Sequence, residues 1–172
     1  MKIGLAGSMS VGKTTLAKAL AELPEFKDYK IFTERSKELR DKGIPLNTDS
    51  TFKGQLIFLA ERASELLEEN MITDRTAIDV CAFTNLANSI DGGAKGDFES
   101  VAGVLADDYD FIFYIPSEGI EIENNGVRET DPEYRQKVDD EIFTLLEIWF
   151  PWYVKISGTT EERINQIKRV IG

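Results

Sequence analysis

Short apolar runs alternate with stretches of helical periodicity along the whole chain. Residues 3–6 form a first strand candidate that runs straight into Gly7. Over 14–23 the apolar positions Leu16, Ala17, Leu20 and Leu23 share a helical face, and Pro24 closes the helix. A second short strand is predicted over 30–33, then a polar helix to about Lys42 and a break at 43–45. Phe52, Leu56, Leu59, Ala63 and Leu66 recur at spacings of four and three, predicting a helix over 51–70 with that stripe inward. A brief strand at 71–73 ends in Asp74-Arg75, and a helix follows over 77–90. The glycine-rich stretch 91–97 reads as a flexible loop, leading to a short helix over 99–106 and a strand at 111–115 ended by Pro116. Asp131-Pro132 reads as an N-cap with proline at the first helical position. Behind it Val138, Ile142, Leu145 and Trp149 share one stripe, and Phe150 and Trp152 are expected to pack that helix end against the sheet. A last strand is predicted over 153–157, and Thr159 with Glu162 forms a capping box for the closing helix.

Strand and helix in alternation predict an α/β fold, a five-stranded parallel sheet covered on both faces by about seven helices. One domain over 1–172 is expected. In such sheets ligands bind beyond the carboxyl ends of the strands, so the residues after each strand matter most.

Composition narrows the chemistry. Of 172 residues 42% are hydrophobic, enough for one sizeable core. Lys and Arg number 20 against 31 Asp and Glu, a formal charge of −11 that argues against binding by coating nucleic acid. There is no histidine, which removes Ser-His-Asp triads, Cys-His pairs and imidazole metal ligands. Cys81 is the single cysteine, expected as a buried helix residue in a reducing compartment. No signal-like or membrane-spanning stretch is seen, so a cytoplasmic location without membrane contact is expected.

Residues 7–14, Gly-Ser-Met-Ser-Val-Gly-Lys-Thr, match the phosphate-binding pattern G-x-x-x-x-G-K-[ST] between a strand and a helix. Gly7, Ser10, Val11 and Gly12 would turn backbone N–H groups toward phosphate, with Thr15 in the opening helical turn. Lys13 would reach the β- and γ-phosphates of ATP, and the Thr14 hydroxyl would sit on Mg²⁺. Other phosphate-loop classes fit less well. Motor and AAA-type ATPases carry four apolar residues followed by Asp-Glu, whereas the strand at 111–115 ends in proline. The chain is also short for an AAA module with its helical appendage, and the N-K-x-D signature of GTPases is absent.

Glu34 after the second strand, Asp74-Arg75 after the third, Gly126-Val127-Arg128 with Arg135, and a late Ser157-Gly158-Thr159 turn complete the pattern. With the N-terminal phosphate loop, it resembles the nucleoside and nucleotide kinase branch. More narrowly, it is similar to the small phage and bacterial proteins grouped with nicotinamide riboside kinases and deoxynucleoside kinases. The resemblance covers essentially the whole chain.

That resemblance implies roles. Asp74 would hold Mg²⁺, the alternative being an N-cap for the next helix. Arg75 would bind the transferring or acceptor phosphate, or else form a structural ion pair. Glu34 would take the proton of an attacking hydroxyl, or else be a helix-start acid near Arg35 or Lys37. Arg128 and Arg135 would close as a lid, about 117–137, over the phosphates, or else lie on a solvated face. Gln55 would read a base edge with Phe52 stacked on it, and Arg62 lies on the same flank; plain core is the alternative for Phe52. Thr159 would border adenine, or act only as a cap.

The expected protein is an ATP- and Mg²⁺-dependent kinase of a nucleoside-like hydroxyl, working as a monomer or homodimer. A monophosphate kinase would need a second anion site, for which Arg35 and Arg62 are the candidates. A kinase of hydroxymethylpyrimidine in phage DNA or nucleotide, and a non-catalytic nucleotide switch, are the other readings.

Overall fold

A computed structural model describes residues 1–121 and 131–172. Five strands, β1 Lys2–Ala6, β2 Lys30–Phe32, β3 Met71–Thr73, β4 Phe111–Tyr114 and β5 Val154–Lys155, form one sheet in the order β2-β3-β1-β4-β5. Every pairing is parallel; Ile3 stands opposite Ile72 on one side and Phe111 on the other. The helices are α1 Lys13–Ala21, α2 Ser36–Asp41, α3 Phe52–Glu65, α4 Ala77–Asn85, α5 Gly92–Ala106, α6 Pro132–Trp149 and α7 Thr160–Ile171. The α/β expectation holds.

Alternation along each strand divides the core in two. Ile3, Leu5, Ile72, Phe113 and Ile115 face α1 and α7, burying Leu16, Leu20 and Ile167. Ala6, Met71, Ile112 and Tyr114 face the other layer with Phe58, Val80, Phe98 and Ile142. The central strand therefore reads as an unbroken apolar run. Gly4 interrupts it because a Cβ there would lie 2.5 Å from Thr76 Cγ2, the N-cap of α4. Close packing of that cap on β1 fixes where α4 begins.

Two elements differ most from the pattern-based expectation, and α4, expected over 77–90, ends at Asn85. The stretch 91–97 is helical rather than a loop: Asp91 caps α5 by accepting from Ala94 N, so the helix starts at Gly92. Glycine lowers helix propensity, but this cap and the burial of Phe98 outweigh it. Helix α3 is shorter than 51–70 and is rotated about its axis. Phe52 and Leu56 are exposed, while Gln55, Phe58, Leu59, Arg62 and Glu65 are buried. Polar side chains can occupy the inner face because they pair there: Glu65 takes Arg62 Nη2 and, at 2.9 Å, Thr73 Oγ1. At the end of α6, Phe150 is buried as expected, but Trp152 is 61% exposed and only touches Phe150 from outside.

Candidate active site

The phosphate loop connects β1 to α1 at the carboxyl edge of the sheet. Gly7 has φ +148°, and a Cβ on it would lie 2.5 Å from the Ile115 carbonyl oxygen, so the loop needs glycine where it leaves the strand. Gly7 N donates to Asp79 Oδ1 at 2.9 Å. Asp79 is wholly buried and also accepts from Thr76 N and Oγ1, at 2.9 and 2.5 Å. It is a site residue that sequence reasoning missed, although Thr76-x-x-Asp79 is a readable capping box. Lys13 Nζ donates to the carbonyls of Gly7 and, at 2.8 Å, of Ser8, and lies 3.9 Å from Asp79 Oδ1. Burial lowers the Lys13 pKa, and the nearby acids only partly offset it. The ammonium is thus folded back on its own loop, one side-chain rotation from an anion in the cradle.

The strand ends bring the remaining groups to this loop. Asp74 Oδ2 accepts from Thr14 Oγ1 at 2.5 Å, and Oδ1 accepts from the Glu34 backbone N–H at 2.6 Å. The cap of α4 is Thr76, so Asp74 is not spent on capping. Burial raises the Asp74 pKa despite the Thr14 hydrogen bond and nearby Lys13. A hydroxyl and a buried carboxylate in contact beside a phosphate cradle fit Mg²⁺, which takes one or two protein oxygens and completes its shell with phosphate and water. Among the described residues there is no group of three or more Cys, Asp or Glu side chains that could hold a metal ion.

Glu34 follows β2. Its Oε2 accepts from Ser36 N at 2.9 Å and from Ser36 Oγ, and lies 3.5 Å from Arg75 Nη2. Burial would push its pKa up, but the Arg75 charge and the two Ser36 hydrogen bonds outweigh it and hold the carboxyl below its usual value. Arg75 stands over the rings of Phe83 and Phe58, at 4.9 and 5.6 Å from their centroids. The structural ion pair considered for Arg75 does exist, and its partner is the other candidate, Glu34.

One cleft is lined by Ser10, Val11, Gly12, Lys13, Thr14, Thr15, Glu34, Asp74 and Arg75, joined by Gln55. Phe58 and Phe83 make its aromatic wall, and Ser50 turns in with a buried Oγ that has no hydrogen-bond partner. Phe58, one turn along from Gln55, thus takes the aromatic place expected of Phe52. Phe52 instead sits at the surface with its ring edge-on to Phe98. Arg35 and Arg62 also lie outside the cleft. Arg35 is bound to Glu38 and Glu61, and Arg62 is 1% exposed, held by Glu65. Arg135 is buried rather than poised over phosphates: Nε donates to Met9 O at 3.1 Å and Nη1 to Ile120 O at 2.5 Å. Thr159 caps α7 at an exposed position away from the cleft lining. Arg128 lies outside the described residues. Cys81 is buried as expected. Among the described residues no helix is long and apolar enough to cross a membrane.

Known proteins share the family and the fold. A family model described as "AAA domain" matches residues 2–163. The expectation that set AAA-type proteins aside is corrected at the level of the family, although the strand end without an acid is as read. No curated protein matches the sequence. Deoxyadenosine kinase from M. mycoides, solved with dCMP and dCDP, is similar over 99% of this chain and 98% of its own, with TM-score 0.69 and 17% identity. A NadR protein in complex with NAD and AMP-PNP gives TM-score 0.71 at 17% identity over 98% of this chain, which spans 48% of that one. YorR from Bacillus subtilis, bound to phosphorylated GDP, gives TM-score 0.58 at 14% identity over 98% and 94% of the two chains. The chain belongs to this AAA-domain family and, within it, has the phosphate-loop fold shared by nucleoside and nucleotide kinases.

Proposed function

We propose that the protein is an ATP- and Mg²⁺-dependent kinase that transfers the γ-phosphate to a hydroxyl of a nucleoside-like acceptor. The observation that carries this reading is Glu34, a carboxylate held ionised by Arg75 and Ser36 on the wall of the phosphate-loop cleft. A hydroxyl must lose a proton as it attacks, whereas a phosphate acceptor is already an anion. The acceptor oxygen bonds to the γ-phosphorus, the bond from phosphorus to the β–γ bridging oxygen breaks, and the hydroxyl proton passes to Glu34. Lys13 leaves the Gly7 and Ser8 carbonyls to meet the phosphates, and Arg75 steadies charge on the transferring group. Thr14 and Asp74 would hold Mg²⁺, which when bound neutralises charge on the phosphate oxygens. Gln55 offers an amide suited to a base edge, beside the aromatic wall of Phe58 and Phe83 over which Arg75 stands. The kinase neighbours, solved with bound nucleotides, support the assignment.

Among the described residues, Arg35 and Arg62, the two cations considered for a second anion site, are engaged elsewhere, which weighs against a monophosphate kinase. Labelled ATP incubated with a panel of nucleosides and their monophosphates tests the reading. Label should appear on at least one nucleoside and on no monophosphate, and EDTA should abolish transfer. Tight ATP binding with no labelled acceptor would leave only a nucleotide-binding switch.

A further inference from the structure

Two buried arginines from different helices grip the phosphate loop from behind. Arg163, on α7, donates from Nη1 to the Val11 carbonyl at 2.7 Å. Arg135, on α6, donates from Nε to the Met9 carbonyl at 3.1 Å. They are 7% and 6% exposed, and neither forms an ion pair among the described residues. Each keeps a further buried nitrogen without a partner, Nε of Arg163 and Nη2 of Arg135. A guanidinium buried against neutral carbonyls costs free energy, which Asp139 offsets in part at Arg135 and no acid offsets at Arg163, so the contacts ask for a purpose. Burial alone lowers the Arg163 pKa, with no acid pulling the other way.

The geometry of the peptide unit supplies that purpose. In a planar trans peptide the C=O and the following N–H point in opposite directions. A carbonyl of Val11 drawn out to Arg163 therefore turns the Gly12 N–H to the other side, and Met9 drawn to Arg135 does the same for Ser10. Gly12 and Ser10 line the cleft, and both have positive φ, +87° and +63°. Alternate left-handed residues of this kind make the concave N–H array that binds anions. At Ser10 that conformation is costly for a residue with a Cβ, so it needs surroundings that hold it.

We infer that Arg163 and Arg135 are positioning residues of the donor site, aiming the Gly12 and Ser10 amides at a polyphosphate. The inference rests on the nucleotide-binding half of the proposed function and is independent of the acceptor. Arg163 carries it most directly, because it reaches the loop across 152 residues from the last helix. It makes α7, at the far end of the chain, part of the phosphate site without touching the ligand.

Binding of inorganic tripolyphosphate, ATP and adenosine to the wild type, Arg163→Gln and Arg163→Lys tests this. Arg163→Gln should weaken tripolyphosphate and ATP by about tenfold or more, as for a hydrogen bond to a charged group. Adenosine binding should not change, and Arg163→Lys, which restores a charged donor to Val11, should return most of the affinity. A folded Arg163→Gln protein that binds tripolyphosphate like the wild type overturns the inference. The wild type alone provides a second test by ¹⁵N NMR: the Gly12 amide should shift on adding tripolyphosphate, and an unmoved Gly12 amide also overturns it. Failure of the kinase reading looks different, as a wild type that binds ATP and transfers phosphate to no acceptor.

Discussion

Glu34 and Asp74 sit side by side at the strand ends, yet their protonation is pushed in opposite directions. Arg75 and Ser36 hold Glu34 below its ordinary value of 4.5, whereas burial dominates at Asp74 and raises it. A depressed carboxyl adds stability above its unfolded pKa and loses it as pH falls through the folded one. Asp74 has the reverse sign, costing stability at neutral pH and returning it on protonation. Urea unfolding of Glu34→Gln should therefore show a protein less stable than wild type at neutral pH, the gap closing on acidification below 4.5. A gap that stays constant with pH would mean that Arg75 and Ser36 do not favour the charged form. Both acids were legible in the sequence because each follows a strand in a fold that binds ligands at strand ends. Asp79 and Arg163 were not read out. Their partners, Gly7 and Val11, lie 72 and 152 residues away, and no local pattern encodes such a contact.

At the level of elements, strand–helix alternation exposed the architecture, while α3 and α5 show where periodicity misleads. In α3 the stripe through Phe52 and Leu56 gave way to a face carrying Gln55, Arg62 and Glu65, because paired polar groups can be buried. Residues 91–97 read as a loop on glycine content alone, and the Asp91 cap makes them helical. Rotation of α3 moves Gln55 into the cleft and Arg62 behind it. Arg62 tethers Glu65, and Glu65 in turn takes the hydroxyl of Thr73, next to Asp74. Arg62→Ala leaves Glu65 buried without its cation, which already has its pKa raised by burial. Denaturant titration should register a loss of about 3 kcal/mol. The KM for the nucleoside should be unchanged; a raised KM at full stability would put Arg62 at the substrate after all.

Across the molecule, a chain with net charge −11 builds a site for a polyanion. A negative surface would repel nucleotide, so in the proposed function attraction would come from a few cations and the loop amides, with Mg²⁺ when bound. Lys13 and Arg75 line the cleft, while Arg135 and Arg163 act on the loop from behind it. The absence of histidine is no handicap, because phosphoryl transfer is served by positioning, cations and a carboxylate. On the proposed mechanism binding and chemistry are separable: the loop would hold the donor, and Glu34 would act only on the acceptor. Single-turnover transfer from labelled ATP to the preferred nucleoside, by wild type and Glu34→Gln, measures that separation directly. The rate should fall by about 10²–10⁴ in the variant with ATP affinity unchanged. Wild-type turnover by Glu34→Gln would contradict a carboxylate base and the hydroxyl-directed mechanism with it.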